Sequence, residues 1–342
     1  MNDGVQPYLS HIFYHLPKRR LTNKDLIEEF GTWTEKKIRS KTGVEERAVA
    51  SETDTASFLA TKAAEKLFQE TGIDRSSIDM LMLCTETPDY LLPATACLVH
   101  HNLGLPNDCG AFDISLGCSG YIYGLHLASA MIQSTMARRV LFLTGDVLSH
   151  YIHPKDKSTR TIFGDCFTAS LINSDETGNF GQIGHFVLGT DGSGSQNLII
   201  PAGGAAQRCS QATKEIYTNR YGNSRTPEDL YMNGPEVFAF ALREVPPVID
   251  ECLKLNSLTI DEVDLFVFHQ ATDMMLQKLR HELNIPENKF IVDVAKTGNT
   301  VSSSIPLALR RAMDNGRLHP GAIVLLCGFG VGYSWGATIL RL

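Results

Sequence analysis

Two textures of apolar and polar positions alternate along the chain. Asp79–Cys84 (DMLMLC), Ala137–Gly145 (ARRVLFLTG) and Val263–His269 (VDLFVFH) are near-continuous apolar runs, the signature of strands covered on both faces. Other stretches bring apolar residues back every three or four positions, as in Ser57–Thr71 with Phe58, Leu59, Ala63 and Leu67 on one helical face. The same reading predicts a strand over Tyr8–Phe13 and a helix opened by Thr22-Asn23 and continued by Leu26, Ile27 and Phe30. After a loop over Thr85–Leu92 it predicts a helix ending near Leu103 and a strand over Ala111–Ile114, and it marks Cys166–Ile172 and Ile183–Leu188 as a pair of apolar segments. Farther on it predicts a helix over Glu236–Leu253, kinked or interrupted at Pro246-Pro247. A helix over Met274–Leu283, a strand over Phe290–Val294 and a helix over Ser302–Met313 follow, and Ala322–Leu342 reads as two strands around a Gly-rich bend. Gly189–Tyr231 is rich in Gly, Ser, Asn and Gln and has no clear period; at that length it is expected to be functional or disordered.

This order repeats. DLFVFHQATDMM answers DMLMLCTETPDY, VDVAKTGNTVSSSIPLAL answers FDISLGCSGYIYGLHLAS, and AIVLLCGFGVG answers RVLFLTGDVLS, at an offset near the 180 residues between Asp113 and Asp293. Three matches in one order predict two similar α/β halves, 1–180 and 181–342, about a pseudo-twofold axis. Buried strands alternating with helices imply a layered α/β body, and loops at corresponding strand ends then converge on one place.

That place gathers the reactive side chains. Gly110–Gly124 (GAFDISLGCSGYIYG) reads as strand, small-residue corner and helix start, with Cys118 at the corner. Helix-terminal amides there favour thiolate over thiol. The pairing of halves sets Asn299 opposite, with His269 at its own strand end and Gly330-Val331-Gly332 in the last bend. Singly these are ordinary: a lone cysteine is usually a small buried hydrophobe, a histidine ending an apolar strand is often a satisfied core residue, and Gly-Asn is a common turn pair. Together they suit thioester chemistry. A thiolate takes an acyl group, while imidazole and amide donors stabilise an enolate formed from a second thioester. The oxyanion of the first step needs donors too, and the backbone N–H groups of Cys118 and of the glycine-rich bend are suited to it. A Cys-His-Asn hydrolase is the alternative for this trio, and the duplicated body argues against it.

Composition narrows the field. With 342 residues, 43% of them hydrophobic, the chain has a large core. A net charge of −7 from interspersed signs makes nucleic acid an unexpected partner. No apolar run reaches membrane-spanning length and the first residues lack signal-peptide order, so no membrane partner and a cytoplasmic location are expected. The eight cysteines lack paired spacing and read as free thiols, and no His/Cys cluster suggests a metal. The basic stretch TEKKIRSKTGVEER fits either a solvated loop or a phosphate-bearing ligand.

Several stretches carry a family resemblance: FDISLGCSG, IFGD at 162–165, GPEVF at 234–238, FHQA at 268–271, GNT with SIPLAL at 298–309, and GFGVGYSWGA at 328–337. From about Leu21 to Leu342 the chain resembles the β-ketoacyl-acyl-carrier-protein synthase III enzymes of the thiolase superfamily. The resemblance implies a thiolase-like fold of five αβαβα layers, a homodimer, and a decarboxylative Claisen condensation with no permanently bound cofactor. Coenzyme A and acyl-carrier-protein thioesters are the implied substrates. It implies that Cys118 takes the starter acyl group and that His269 and Asn299 promote decarboxylation of a malonyl thioester. The oxyanion donors are then the backbone N–H groups of Cys118 and Val331. Phe163, Met232 and Phe329 line the acyl pocket, and Leu92 reaches into the partner's pocket. Departures concern the entrance: Lys37, Lys41 and Lys157 stand where the family has a stacking tryptophan and two arginines, and Trp33 is four residues out of register. Ala239 and Met274 replace basic residues that dock the carrier protein, with Lys278 and Arg280 able to compensate. A starter other than acetyl-coenzyme A is expected. An acyltransferase acting without malonate and a silent heterodimer partner are the remaining alternatives.

Overall fold

The computed structural model describes residues 5–175, 178 and 180–342, so the first residues of the expected 1–180 half lie outside the described set. Its first half contains β1 (Tyr8–His15), β2 (Arg19–Thr22), α1 (Asn23–Phe30), α2 (Glu35–Thr42), β3 (Glu46–Val49), α3 (Ala56–Thr71), β4 (Met80–Cys84), α4 (Thr95–Leu103), β5 (Gly110–Ile114), α5 (Gly120–Gln133), β6 (Arg139–Asp146), α6 (Lys157–Arg160) and β7 (Cys166–Asn173). The second half contains β8 (Gln182–Ile183), β9 (Val187–Thr190), β10 (Leu198–Ile199), β11 (Tyr217–Thr218), β12 (Ser224–Arg225), β13 (Tyr231–Met232), α7 (Gly234–Leu255), β14 (Leu265–Phe268), α8 (Asp273–Glu282), α9 (Ser304–Asp314), β15 (Ile323–Gly330) and β16 (Ser334–Arg341). Local chemistry sets many of these limits. Thr22 and Asp25 form a reciprocal capping box at the start of α1, Thr55 caps α3, and Gly72 ends α3 at φ +68, a conformation glycine adopts at little cost.

Strand pairing follows the same plan in both halves. In the first, β4 runs parallel to β5 and β6, β6 is antiparallel to β7, and β7 is antiparallel to β1. In the second, β14 runs parallel to β15, β15 is antiparallel to β16, and β16 is antiparallel to β8 and β9. One pairing, Tyr8 with Gln182, joins the halves into a ten-stranded sheet, nine strands of which form one path while β9 pairs with β16 beside it. Three apolar clusters define the layers. One packs α3 and α4 on the outer face of the first sheet, through Leu59, Leu67 and Val99 against Leu81 and Leu141. Another packs α7 and α8 on the outer face of the second, through Ile249 and Leu276 against Phe266 and Leu325. The third draws on both sheets and encloses α5 and α9, with Leu125, Ile132, Ile305 and Leu309 against Met82, Phe142, Val267 and Leu326. The sequence of layers is therefore αβαβα, as expected.

One expectation changes and two are narrowed. Phe290–Val294 does not form a strand; only a parallel bridge between Phe266 and Phe290 remains where the first half has β5. The Gln270 side chain explains this, since its amide donates to the Ile291 carbonyl and accepts from the Asp293 N–H at 2.6 Å, taking over groups a strand neighbour would use. Helix α7 continues through Pro246 and Pro247 as one element, so the expected break does not occur. A proline inside a helix removes a backbone hydrogen bond and crowds the carbonyl one turn back, at about 3 kcal/mol. Burial of Val245, Val248, Ile249 and Cys252 offsets this, at about 1.5–3 kcal/mol for each large aliphatic side chain. Finally, Gly189–Tyr231 is ordered through two ribbons, β10 with β13 and β11 with β12. A buried ion pair at 2.8 Å joins Arg225 of this segment to Asp156, the cap of α6.

Candidate active site

The β5–α5 corner and the turn before α9 meet at the inner end of a cavity of about 880 Å³ whose wall includes Cys118, His269 and Asn299. Cys118 precedes Ser119 and the first turn of α5, and the Gly120 N–H closes the corner on the Gly117 carbonyl at 2.8 Å. Gly330 gives the sulfur its space: a Cβ there would stand 2.7 Å from Cys118 Sγ. His269 leaves β14 with its N–H donated to the Cys327 carbonyl at 2.7 Å. Asn299 is laced to the IFGD segment, its N–H donating to the Ile162 carbonyl and its carbonyl accepting from the Gly164 N–H, each at 2.9 Å. Its Oδ1 accepts from the N–H of Val301, a β-branched residue held at φ +52. This strained turn fixes which end of the Asn299 amide faces the cavity.

With Oδ1 committed, the Asn299 NH₂ lies 3.4 Å from His269 Nε2. His269 Nδ1 lies 2.7 Å from Ser304 Oγ, which accepts from the Gln270 N–H at 3.2 Å. One lone pair of that hydroxyl is thus in use; when its proton is given to Nδ1, Nε2 carries the N–H of the ring. Two donors then point at one spot, and an anionic oxygen fits between them. Burial pushes His269 down to about 3, against an opposing backbone hydrogen bond at Val301, so the ring is neutral at ordinary pH.

The sulfur differs from expectation. Cys118 is only 5% exposed, and its thiol is pushed up to about 12, first by burial and then by the Glu86 charge. Backbone hydrogen bonds from Val331 and Cys118 itself oppose the rise without reversing it. The resting group is a thiol, because desolvation outweighs the helix-terminal amides. Those two N–H groups are the pair expected to serve as oxyanion donors.

Of the other expected residues, Phe163, Met232, Phe329, Lys41 and Lys157 line the cavity. Lys37 does not line it; its Nζ sits 4.8 Å over the Trp33 ring, and Trp33 is on the wall instead. Trp33 lies in the connection just before α2, under Lys37 of that helix's first turn, so the out-of-register tryptophan reaches the mouth after all. Leu92 is 82% exposed beside exposed Tyr90 and Leu91, away from this chain's cavity. Sequence reading missed Leu198, Arg220 and Tyr221, which the Gly-rich segment brings to the wall; the expectation that so long a stretch is functional was the only signal. Among the described residues no His/Cys/Asp/Glu group could hold a metal ion.

Comparison with known proteins bears on this geometry. Profiles described as 3-oxoacyl-[acyl-carrier-protein (ACP)] synthase III and its C terminal match residues 112–192 and 253–342. A β-ketoacyl-[acyl-carrier-protein] synthase III of Caldanaerobacter subterraneus subsp. tengcongensis is 35% identical over 327 residues, which cover 96% of this chain and 95% of that one. The chain belongs to the 3-oxoacyl-[acyl-carrier-protein] synthase III family. A crystal structure of a member at 2.1 Å resolution is 45% identical, with a TM-score of 0.95 over 98% of this chain and all of that one. The priming β-ketosynthase of the R1128 polyketide pathway is 26% identical, with a TM-score of 0.85 over 100% of this chain and 98% of that one. The protein is thus a thiolase-fold condensing acyltransferase of the synthase III type.

Proposed function

We propose that Cys118 carries the starter acyl group and that His269 and Asn299 act on the second thioester. The carrying observation is the convergence of a sulfur with two neutral N–H donors at the end of one cavity. The starter carbonyl sits against the Cys118 and Val331 N–H groups while sulfur attacks, and the leaving thiol departs through the cavity. The malonyl thioester then enters. Its carbonyl oxygen accepts from His269 Nε2–H and the Asn299 amide as carbon dioxide leaves, and the enolate attacks the Cys118 thioester to give a 3-oxoacyl product. Phe163, Met232 and Phe329 shape the acyl side.

Trp33, Lys41 and Lys157 receive the phosphate-bearing arm of coenzyme A or of an acyl carrier protein, the relatives' named partner. Lysines supply charge there without the fork geometry of arginine. The 1–180 and 181–342 halves act as duplicate units, one giving the nucleophile and one the donors. The exposed Tyr90–Leu92 tip supports a homodimer in which Leu92 enters the partner's pocket. A cytoplasmic setting fits these substrates, and no helix among the described residues is long and apolar enough to cross a membrane. Malonyl-thioester decarboxylation tests the division of labour. Asn299→Ala and His269→Ala are expected to lower it about 10²–10³-fold each while Cys118 still acylates; equal rates in wild type and Asn299→Ala overturn the assignment.

A further inference from the structure

The two N–H groups assigned to the starter oxyanion come from different halves of the chain. That of Cys118 belongs to the β5–α5 corner, and that of Val331 to the bend of Val331, Gly332 and Tyr333 between β15 and β16. One oxygen accepts well from both only if each stands about 2.7–3.1 Å from it, a tolerance of about 0.5 Å on their separation.

A line of side-chain hydrogen bonds spans the two elements. Ser119, the residue after the sulfur, has its Oγ 2.6 Å from that of Ser334, 215 positions away in the chain. Ser334 Oγ in turn donates to the Val331 carbonyl at 2.8 Å. A carbonyl only accepts, so the Ser334 proton is committed and the Ser119 hydroxyl donates into Ser334. The line therefore has one direction, Ser119 O–H to Ser334 O–H to Val331 C=O, and each bond strengthens the next. Both serines are buried, at 0% and 2% exposure, so neither bond is shared with bulk water.

Two buried serines that satisfy one another are ordinary. This pair differs in where its bonds begin and end. Ser119 precedes α5, where a serine commonly returns its hydroxyl to the helix's own N–H groups, and it makes no such bond. Its hydroxyl crosses to the other half instead, and the line ends on the residue whose N–H reaches the sulfur. Val331 also packs on the corner through its side chain, since a Cβ on Gly117 would stand 2.7 Å from Val331 Cγ1. The far end of the bend is anchored separately, by Tyr333 exchanging backbone hydrogen bonds with Asp191 at 2.9 Å each way.

We propose that Ser119 and Ser334 are positioning residues, a clasp between the halves that aligns the Cys118 and Val331 N–H groups on the oxygen of the starter thioester. This rests on Cys118 carrying the acyl group. Neither serine lines the cavity, so both act through the peptide groups they hold. As sulfur attacks, the carbonyl oxygen gains charge and meets both donors at once. With the clasp cut, the Val331 peptide drifts from the corner and one donor weakens. A displacement at sulfur that forms no oxyanion is indifferent to that drift.

The test follows two single-turnover reactions of Cys118 in the intact enzyme by whole-protein mass. Acylation by acetyl-, butyryl- and octanoyl-coenzyme A passes through an oxyanion, and alkylation by iodoacetamide does not. In Ser119→Ala, acylation by the donor that serves wild type best is expected to slow about 10- to 100-fold, with alkylation within twofold of wild type. Ser334→Ala is expected to be at least as slow. The double variant should match Ser334→Ala within threefold, because loss of Ser334 already breaks both bonds. Acylation within twofold of wild type in folded Ser119→Ala overturns the proposal. So does a parallel loss of acylation and alkylation, or two substitutions whose effects multiply. No acyl adduct on wild type with any of the three donors overturns the reading of Cys118 instead, so the two failures are distinct. Should Ser334→Ala not fold, Ser119→Ala, which leaves the Val331 carbonyl its partner, decides alone.

Discussion

Replacing Ser304 with alanine removes the group that sets the His269 ring without touching the cavity wall. The hydroxyl stands 2.7 Å from Nδ1 and accepts from the Gln270 N–H, so its proton holds the Nε2–H tautomer. A hydrogen bond of this kind is worth about 0.5–1.5 kcal/mol net, which corresponds to a shift of roughly 2- to 13-fold in the tautomer ratio. In alanine the Nδ1–H form competes, and its Nε2 presents a lone pair to the developing anion. Malonyl decarboxylation is therefore expected to fall about tenfold, well short of the 10²–10³-fold lost on deleting a whole donor. The Gln270 N–H also loses its acceptor, lowering folding stability by about 1–3 kcal/mol. The assay pairs decarboxylation kinetics with alkylation of Cys118 by iodoacetamide, which should stay within twofold of wild type, and Ser304→Thr should recover most of the rate. Decarboxylation within twofold of wild type in a folded Ser304→Ala enzyme refutes the tautomer argument.

Other outcomes follow from the same geometry. His269 takes up a proton only near pH 3 in the folded protein, whereas the unfolded chain binds one below about 6.5. Acidification therefore favours unfolding by up to about 1.4 kcal/mol per pH unit below 6.5 from this group; urea titrations of wild type and His269→Ala between pH 7 and 5 should show the wild type losing more. Arg225→Ala strands Asp156, 0% exposed, without its partner, and should cost about 3–5 kcal/mol in denaturation; Arg225→Ala with Asp156→Asn should recover part of that loss. Leu92→Asp places a charge on the exposed tip and should shift sedimentation toward monomer while leaving secondary structure unchanged.

The legible parts of the molecule were those written in local periodicity and in its repetition. The five layers followed from doubly covered strands, and the opposition of Cys118 and Asn299 followed from the repeat, because both are consequences of backbone pattern. What stayed hidden depends on side chains acting across long separations. Gln270 dissolving the strand at Phe290 and Ser304 fixing His269 are contacts between residues that no period links. Trp33 belongs with them, since its displacement by four residues looks like a loss in the linear chain and is not one in space. Most of all, the thiol at Cys118 is held protonated by burial and by Glu86, which the helix-corner argument could not weigh against its amides.

The central claim is that Cys118 carries the acyl group. Intact-protein mass spectrometry after incubation with a panel of acyl-coenzyme A and acyl-carrier thioesters tests it most directly. Wild type should gain the mass of one acyl group from at least one donor, localised to the peptide containing Cys118, and Cys118→Ala should gain none. The same adduct on Cys118→Ala, or no adduct on folded wild type across the panel, contradicts the account.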